Sequence, residues 1–174
     1  MSAEREQAVL DEYRRSIEAK VASVDRFLEA SWQAAQALLS GGDHLSLFAI
    51  QRAYYALYNA SVETAKLLGM PLERYQAGSH HHETTDSIPH GQLPVLVVDI
   101  LKVIFFQEVA SGDISRPEQA FETARLLQKY RKRADYMGCE RVSTESAREC
   151  IEWARTLTET IWGYTKEHYD DDWR

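Results

Sequence analysis

Arg52 and Asn59 stand seven residues apart in the stretch FAIQRAYYALYNASVETAKLL, and three consecutive histidines, His80, His81 and His82, follow in the next loop. A guanidinium can hold an anionic phosphate through two parallel hydrogen bonds, an amide can bond a phosphate or a sugar hydroxyl, and imidazole moves protons near neutral pH. These residue types together suit anion recognition and acid/base work. Residues 48–68 have the composition of a buried helix. At 100° per residue, Arg52, Ala56, Asn59, Glu63 and Lys66 fall in a polar sector roughly 80° wide, and Tyr54, Tyr55, Leu57, Tyr58, Val62, Ala65 and Leu68 fill the rest. Two turns separate Arg52 from Asn59, which puts their side chains about 10 Å apart along the axis. So narrow a stripe predicts a helix enclosed by neighbours except along a groove; the plainer reading is a solvated face carrying a Glu63 and Lys66 pair.

The other histidine chemistry to weigh is a transition-metal site built from His80 to His82 with Glu83, Asp86 or His90. Its spacing matches no standard site, and no metal or other cofactor is expected. GxGxxG, P-loop, HExxH, GxSxG and CxxC motifs are all missing from the sequence, which argues against nucleotide-fold enzymes and zinc proteases.

The elements that must position these residues follow from periodicity. Residues 4–40 repeat apolar positions every three or four residues (Leu10, Tyr13, Ile17, Val21, Val24, Leu28, Ala35 and Leu38) with no internal Pro or Gly. The reading is one long helix stopped by Gly41 and Gly42, or a helix broken near residue 20 and folded back. A seam this long can outrun a compact body and pack on a second copy of the chain. Asp43 is the expected cap of the central helix, and Gly69, Met70 and Pro71 end it. Residues 71–92 form a long loop, of a length that is usually functional or disordered. The apolar segment 94–112 is rich in β-branched residues, yet its length favours a buried helix over a strand. Ser115, Pro117 and Glu118 open the next helix as a capping box, with Ala120, Ala124, Leu127, Tyr130 and Ala134 as its inner seam, and Gly138 closes it. Ser143 or Thr144 caps the last helix, followed by the charged tail 169–174. Trp32, Trp153, Trp162 and Trp173 read as packing or interface residues. The expected fold is all-α, a single domain of four to five long helices with no sheet.

Composition narrows the class of protein. The chain has 174 residues, 44% of them hydrophobic and 27% charged, which is ordinary for one globular domain with a full core. A net charge of −7 argues against non-specific coating of nucleic acid, although a local basic site is compatible with it. Cys139 and Cys150 lack metal-ligand spacing and fit two free thiols in a reducing compartment. The N-terminal MSAEREQAV lacks a signal-peptide apolar region, and residues 93–106 are too short to span a bilayer and contain Asp99 and Lys102. The expectation is a cytoplasmic protein with no membrane partner.

The ordered set QRAYYALYNAS, SHHHE, SGDIS and YRKRADYMG resembles the HEPN domain family in its stand-alone bacterial and archaeal branch, over roughly residues 20–165. That resemblance implies an all-α bundle, commonly a homodimer. Many members are metal-independent endoribonucleases, often toxins or defence proteins, whose site pairs an Arg with a His beyond four to six intervening residues. Here Arg52 takes the place of the Arg and Asn59 takes the place of the His. An amide cannot exchange a proton near pH 7, so any general base must come from elsewhere, with His80, His81 and His82 as the candidates. In such a reaction the base deprotonates the ribose 2′-OH, the oxyanion attacks the adjacent phosphate, and Arg52 stabilises the charge on the phosphoryl oxygens. A second RADY element, residues 133–136, offers Asp135 as a partner for Arg131 or for Arg52. Two functions are therefore expected from the resemblance. One is a dimeric partner-binding module with little or no catalysis, in a toxin–antitoxin or defence system, beside a separately encoded nucleotidyltransferase. The alternative is a metal-independent endoribonuclease or RNA-binding protein using Arg52, Asn59 and Lys66.

Overall fold

The structure, a computed structural model, describes residues 3–76, 87–105, 115–136 and 141–168. Five helices carry them: α1 (Ala3–Ser40), α2 (Asp43–Leu67), α3 (Leu93–Ile104), α4 (Ser115–Tyr136) and α5 (Thr144–His168). Two short 3-10 turns, Leu72–Tyr75 and His90–Gln92, lie between α2 and α3. No strand occurs among the described residues, so the all-α bundle expected from periodicity is the observed architecture.

Helix α2 is the axis of the bundle. Ala49, Ile50, Ala53, Tyr54, Ala56, Leu57, Ala60 and Ala65 have no solvent exposure, and α1, α3, α4 and α5 all pack on it. The alanines supply the low surface that lets helix axes approach closely on several sides. Polar residues inside this envelope bond within reach: Ser61 donates to the Leu57 carbonyl, and Thr165 of α5 donates to Thr64 Oγ1 at 3.0 Å. A second, smaller apolar cluster joins Val21, Val24 and Leu28 of α1 to Ala56, Ala60 and Trp162. Trp162 Nε1 donates to Asp25 Oδ1 at 2.8 Å, and Lys166 pairs with the same oxygen, so α1 is tied to α5 as well as to α2.

Helix α1 runs unbroken, without the fold-back near residue 20. Helix α3 follows the 3.6-residue period in spite of its β-branched composition. Leu93, Leu96, Val97, Ile100, Leu101 and Ile104 are buried while Val95 and Val103 are exposed, so packing of one face outweighs strand propensity. It ends at Ile104, where the Phe105 N–H bonds the Leu101 carbonyl, well before the expected end near residue 112. Residues 106–114 lie outside the described residues, as do Gly138 and the tail 169–174.

Helix α2 closes in a Schellman turn: Met70 N–H bonds Ala65 O, Gly69 N–H bonds Lys66 O, and Gly69 has φ +66°. The cap at its other end departs from expectation. Gly42, at φ +94°, occupies the N-cap position of α2 and Asp43 is the first helical residue. The Asp43 carboxylate instead accepts hydrogen bonds from Thr144 N–H at 2.8 Å and from Thr144 Oγ1 at 2.6 Å. It sits at the N-terminus of α5, where an anion also meets the positive end of the helix dipole. Ser143 is the local cap of α5, its Oγ accepting from Ser146 N–H. Both helices thus start at one junction.

The Thr144 hydrogen bonds hold the Asp43 carboxyl below its ordinary value of 3.8. A depressed carboxyl contributes stability above its unfolded pKa, and that contribution disappears as pH falls through the folded one. Asp43→Ala is therefore expected to lower the melting temperature at pH 7, with wild type and variant converging as thermal melts are taken down through pH 3.8.

Candidate functional site

Arg52 and Asn59 both lie in α2, two turns apart and so on one helical side, but the side between them is not an open groove. Ala56 has no exposure and packs against Val21, Val24 and Leu28 of α1. Helix α1 therefore lies over the middle of the polar stripe. Below it the stripe is consumed by charge pairing: Lys20 of α1 lies 2.8 Å from Glu63 Oε2, and Lys66 lies 3.0 Å from Oε1. The Lys20 contact is a charge contact without hydrogen-bond alignment. Lys66, expected as an RNA contact, is thus paired within α2 to the carboxylate that Lys20 of α1 also meets.

Asn59 is partly buried, and its amide Nδ2 donates to the Tyr55 carbonyl in its own helix at 2.8 Å. That bond leaves Oδ1 as an acceptor and supplies no group able to take a proton. Arg52 is exposed and has no hydrogen bond or ion pair among the described residues. His80, His81 and His82 lie outside the described residues. The described part of the expected constellation therefore holds an exposed cation and a locally bonded amide.

The denser polar cluster is on another side of α2, around a histidine considered in sequence only as an alternative metal ligand. His90, in the second 3-10 turn, places Nδ1 2.8 Å from the Tyr54 hydroxyl; the direction of this bond follows the imidazole tautomer. Its ring lies 4.6 Å from the Tyr58 ring and 5.9 Å from that of Tyr55, centroid to centroid. The Tyr58 hydroxyl donates to the Ile88 carbonyl, and Gln128 of α4 donates to the His90 carbonyl at 2.9 Å. Burial pushes the Tyr54 phenol far above its ordinary range, with the Arg131 charge pulling partly the other way, and burial likewise raises Tyr58. Both phenols stay neutral at physiological pH. They act as fixed hydrogen-bonding groups.

The RADY element completes this cluster. Asp135 pairs with Arg131 at 2.8 Å within α4, not with Arg52, and accepts a hydrogen bond from Gln51 of α2. Arg131 in turn reaches the Tyr55 hydroxyl at 3.3 and 3.4 Å, and its guanidinium sits 5.9 Å from the centre of the Tyr55 ring. Burial works against the guanidinium charge, but the Tyr55 hydrogen bond and the Asp135 carboxylate more than offset it and raise its pKa. The result is a clamp joining α2, the turn before α3, and α4. Its principal charges are spent on each other. Among the described residues, no group of three or more His, Cys, Asp or Glu side chains could hold a metal ion.

Comparison with family models, curated proteins and solved structures gives no match, so the functional reading rests on the residues themselves. His90 could have been found in the sequence only by its register. It stands between Pro89 and Gly91, a pair that fixes a turn, directly before an apolar helix.

Tyr54→Phe removes the hydroxyl partner of a part-buried imidazole and should cost about 1–3 kcal/mol in urea unfolding. Tyr55→Phe gives up only two long contacts from a guanidinium that keeps Asp135, and should cost less than about 1 kcal/mol. The reverse order would show that the clamp is not centred on the Tyr54 and His90 pair.

Proposed function

We propose that this chain is a HEPN-like helical module that self-associates and binds a partner, with little or no catalysis of its own. The system would be of the toxin–antitoxin or defence type, with a separately encoded nucleotidyltransferase as the partner the resemblance implies. The observation that carries the reading is the first half of α1. Every residue from 5 to 16 is exposed, including Val9 at 59% and Leu10 at 41%, whereas the same seam is buried from Val21 onward against α2 and Trp162. Residues 5–16 extend as a helical arm about 18 Å long.

An isolated helix of this length is marginal in water, and most helical stability comes from packing an apolar face. The arm carries such a face in register with the buried half. Pairing with a second copy in closed two-fold symmetry covers both arms at once, because each supplies the surface the other lacks. The arrangement of the α2 stripe supports the catalytic half of the reading. Asn59 has no titratable function, and α1 covers the stretch of helix between Asn59 and Arg52.

Light scattering at micromolar concentration should give about twice the chain mass of 20.0 kDa. Leu10→Glu should return it to a single chain with helicity retained, since Leu10 makes no part of the core. A single-chain mass for the wild type removes the self-association reading. Incubated with a mixed RNA pool in the presence of chelator, the wild type and Asn59→His should both leave the RNA intact. Cleavage by either, abolished by Arg52→Ala, would favour the endoribonuclease reading instead.

A further inference from the structure

Helices α4 and α5 both rest on α2 but touch each other only lightly, and the gap between them is lined also by Leu101 and Phe105 at the end of α3. The gap is a groove of about 1100 Å³. Its α4 wall carries Arg125, Lys129, Lys132 and Arg133, and the first three fall on one helical face at i, i+4 and i+7. Glu122 also lines it, but is neutralised by Arg125 at 2.8 Å. Lys129 and Lys132 are exposed and have no ion pair among the described residues. The apolar part is made by Leu101 and Phe105 at the end of α3, Leu126 of α4, and Trp153 and Leu157 of α5, and Trp153 is 49% exposed. This concentration of positive charge sits on a chain whose net charge is −7.

We infer that the α4–α5 groove is a docking site for an acidic amphipathic helix of a partner protein. Two observations select that occupant. The gap lies between two helices that share a support, so a third helix laid into it would pack by the same ridges and grooves that hold the bundle. Its chemistry is an apolar seam beside a cationic wall, which matches leucine-type anchors flanked by carboxylates. A nucleic-acid strand would find phosphate partners on the wall, but that wall is one short stretch of a chain whose net charge is −7, without the broad basic surface that tracks a phosphate backbone. The inference rests on the reading of the chain as a partner-binding module and gives that partner a chemistry.

The probe is a fluorescein-labelled helical peptide about 18 residues long, with leucine at i, i+3, i+4 and i+7 positions and glutamate beside them, followed by anisotropy. Binding is expected with the wild type. Lys129→Glu with Lys132→Glu should weaken it at least about tenfold, and the same double variant should gain binding to the peptide with lysine in place of glutamate. Trp153→Ala, at an exposed position, should weaken the acidic peptide without the charge switch. Absence of acidic-peptide binding, equal binding of a scrambled peptide of the same composition, or indifference to both sets of substitutions overturns the inference. So does binding of a short oligouridine in place of the peptide. Light scattering on the same samples keeps the readings apart: a single-chain mass with peptide binding intact removes self-association and leaves the groove, and the converse removes the groove alone.

Discussion

The constraint on which this structure depends is the enclosure of α2. A helix buried against four others must present a low, apolar surface in almost every direction, and Ala49, Ala53, Ala56, Ala60 and Ala65 provide it. Large side chains are then confined to the directions in which a neighbour stands off, and Tyr54, Tyr55 and Tyr58 occupy one of these. A methyl group added at Ala56 or Ala60 would meet α1 and Trp162, since both alanines sit in that small cluster without exposure. Overpacking of this kind costs typically about 1–3 kcal/mol.

Enclosure brings a second requirement, because burying phenols and a guanidinium is tolerable only where each polar atom is satisfied. The long connection between α2 and α3 answers it. The Ile88 and His90 carbonyls accept from Tyr58 and Gln128, and the His90 ring meets Tyr54. Farther along, Tyr75 donates to Asp99 at 2.8 Å, and burial together with that carboxylate raises its phenol to about 12. The described ends of the connection are thus held by the aromatic face of the helix they follow. A segment whose length reads as a functional or disordered loop serves, at these ends, as a supplier of backbone acceptors.

The helices were legible because each carries a 3.6-residue repeat that survives unfavourable local propensity, as α3 demonstrates. The centrality of α2 was legible from its alanine and tyrosine content. What escaped was pairing across the chain. Asp43 reads as a cap for the helix it begins, and nothing local reveals that its partner, Thr144, stands 101 residues away. The groove between Arg52 and Asn59 failed to appear for a related reason. A helical wheel places Ala56 in the polar sector by angle, but only the position of α1 decides whether that sector meets solvent or a neighbour. Asp135 was legible as far as its two potential partners; the i, i+4 geometry of α4 then favours Arg131, which is already within reach in the same helix.

Charge is segregated in this molecule according to what each helix face must do. Carboxylates in the interior or at junctions are matched one to one or better: Glu63 meets two lysines, Asp25 meets Lys166 and the Trp162 indole, and Asp135 meets Arg131 and Gln51. These pairs spend cations from α1, α4 and α5 on holding helices together. Among the described residues, the cations left outside such pairing include Arg52 on α2 and Lys129 and Lys132 on α4. Arg52 stands alone beside a covered stripe, where a single exposed charge gains little against water. Lys129 and Lys132 stand together along a partly apolar groove, where neighbouring charges reinforce one another. By that physical criterion, the exposed cations of α4 are better placed to meet an anionic surface than the one on the central helix, on which the sequence first fixes attention.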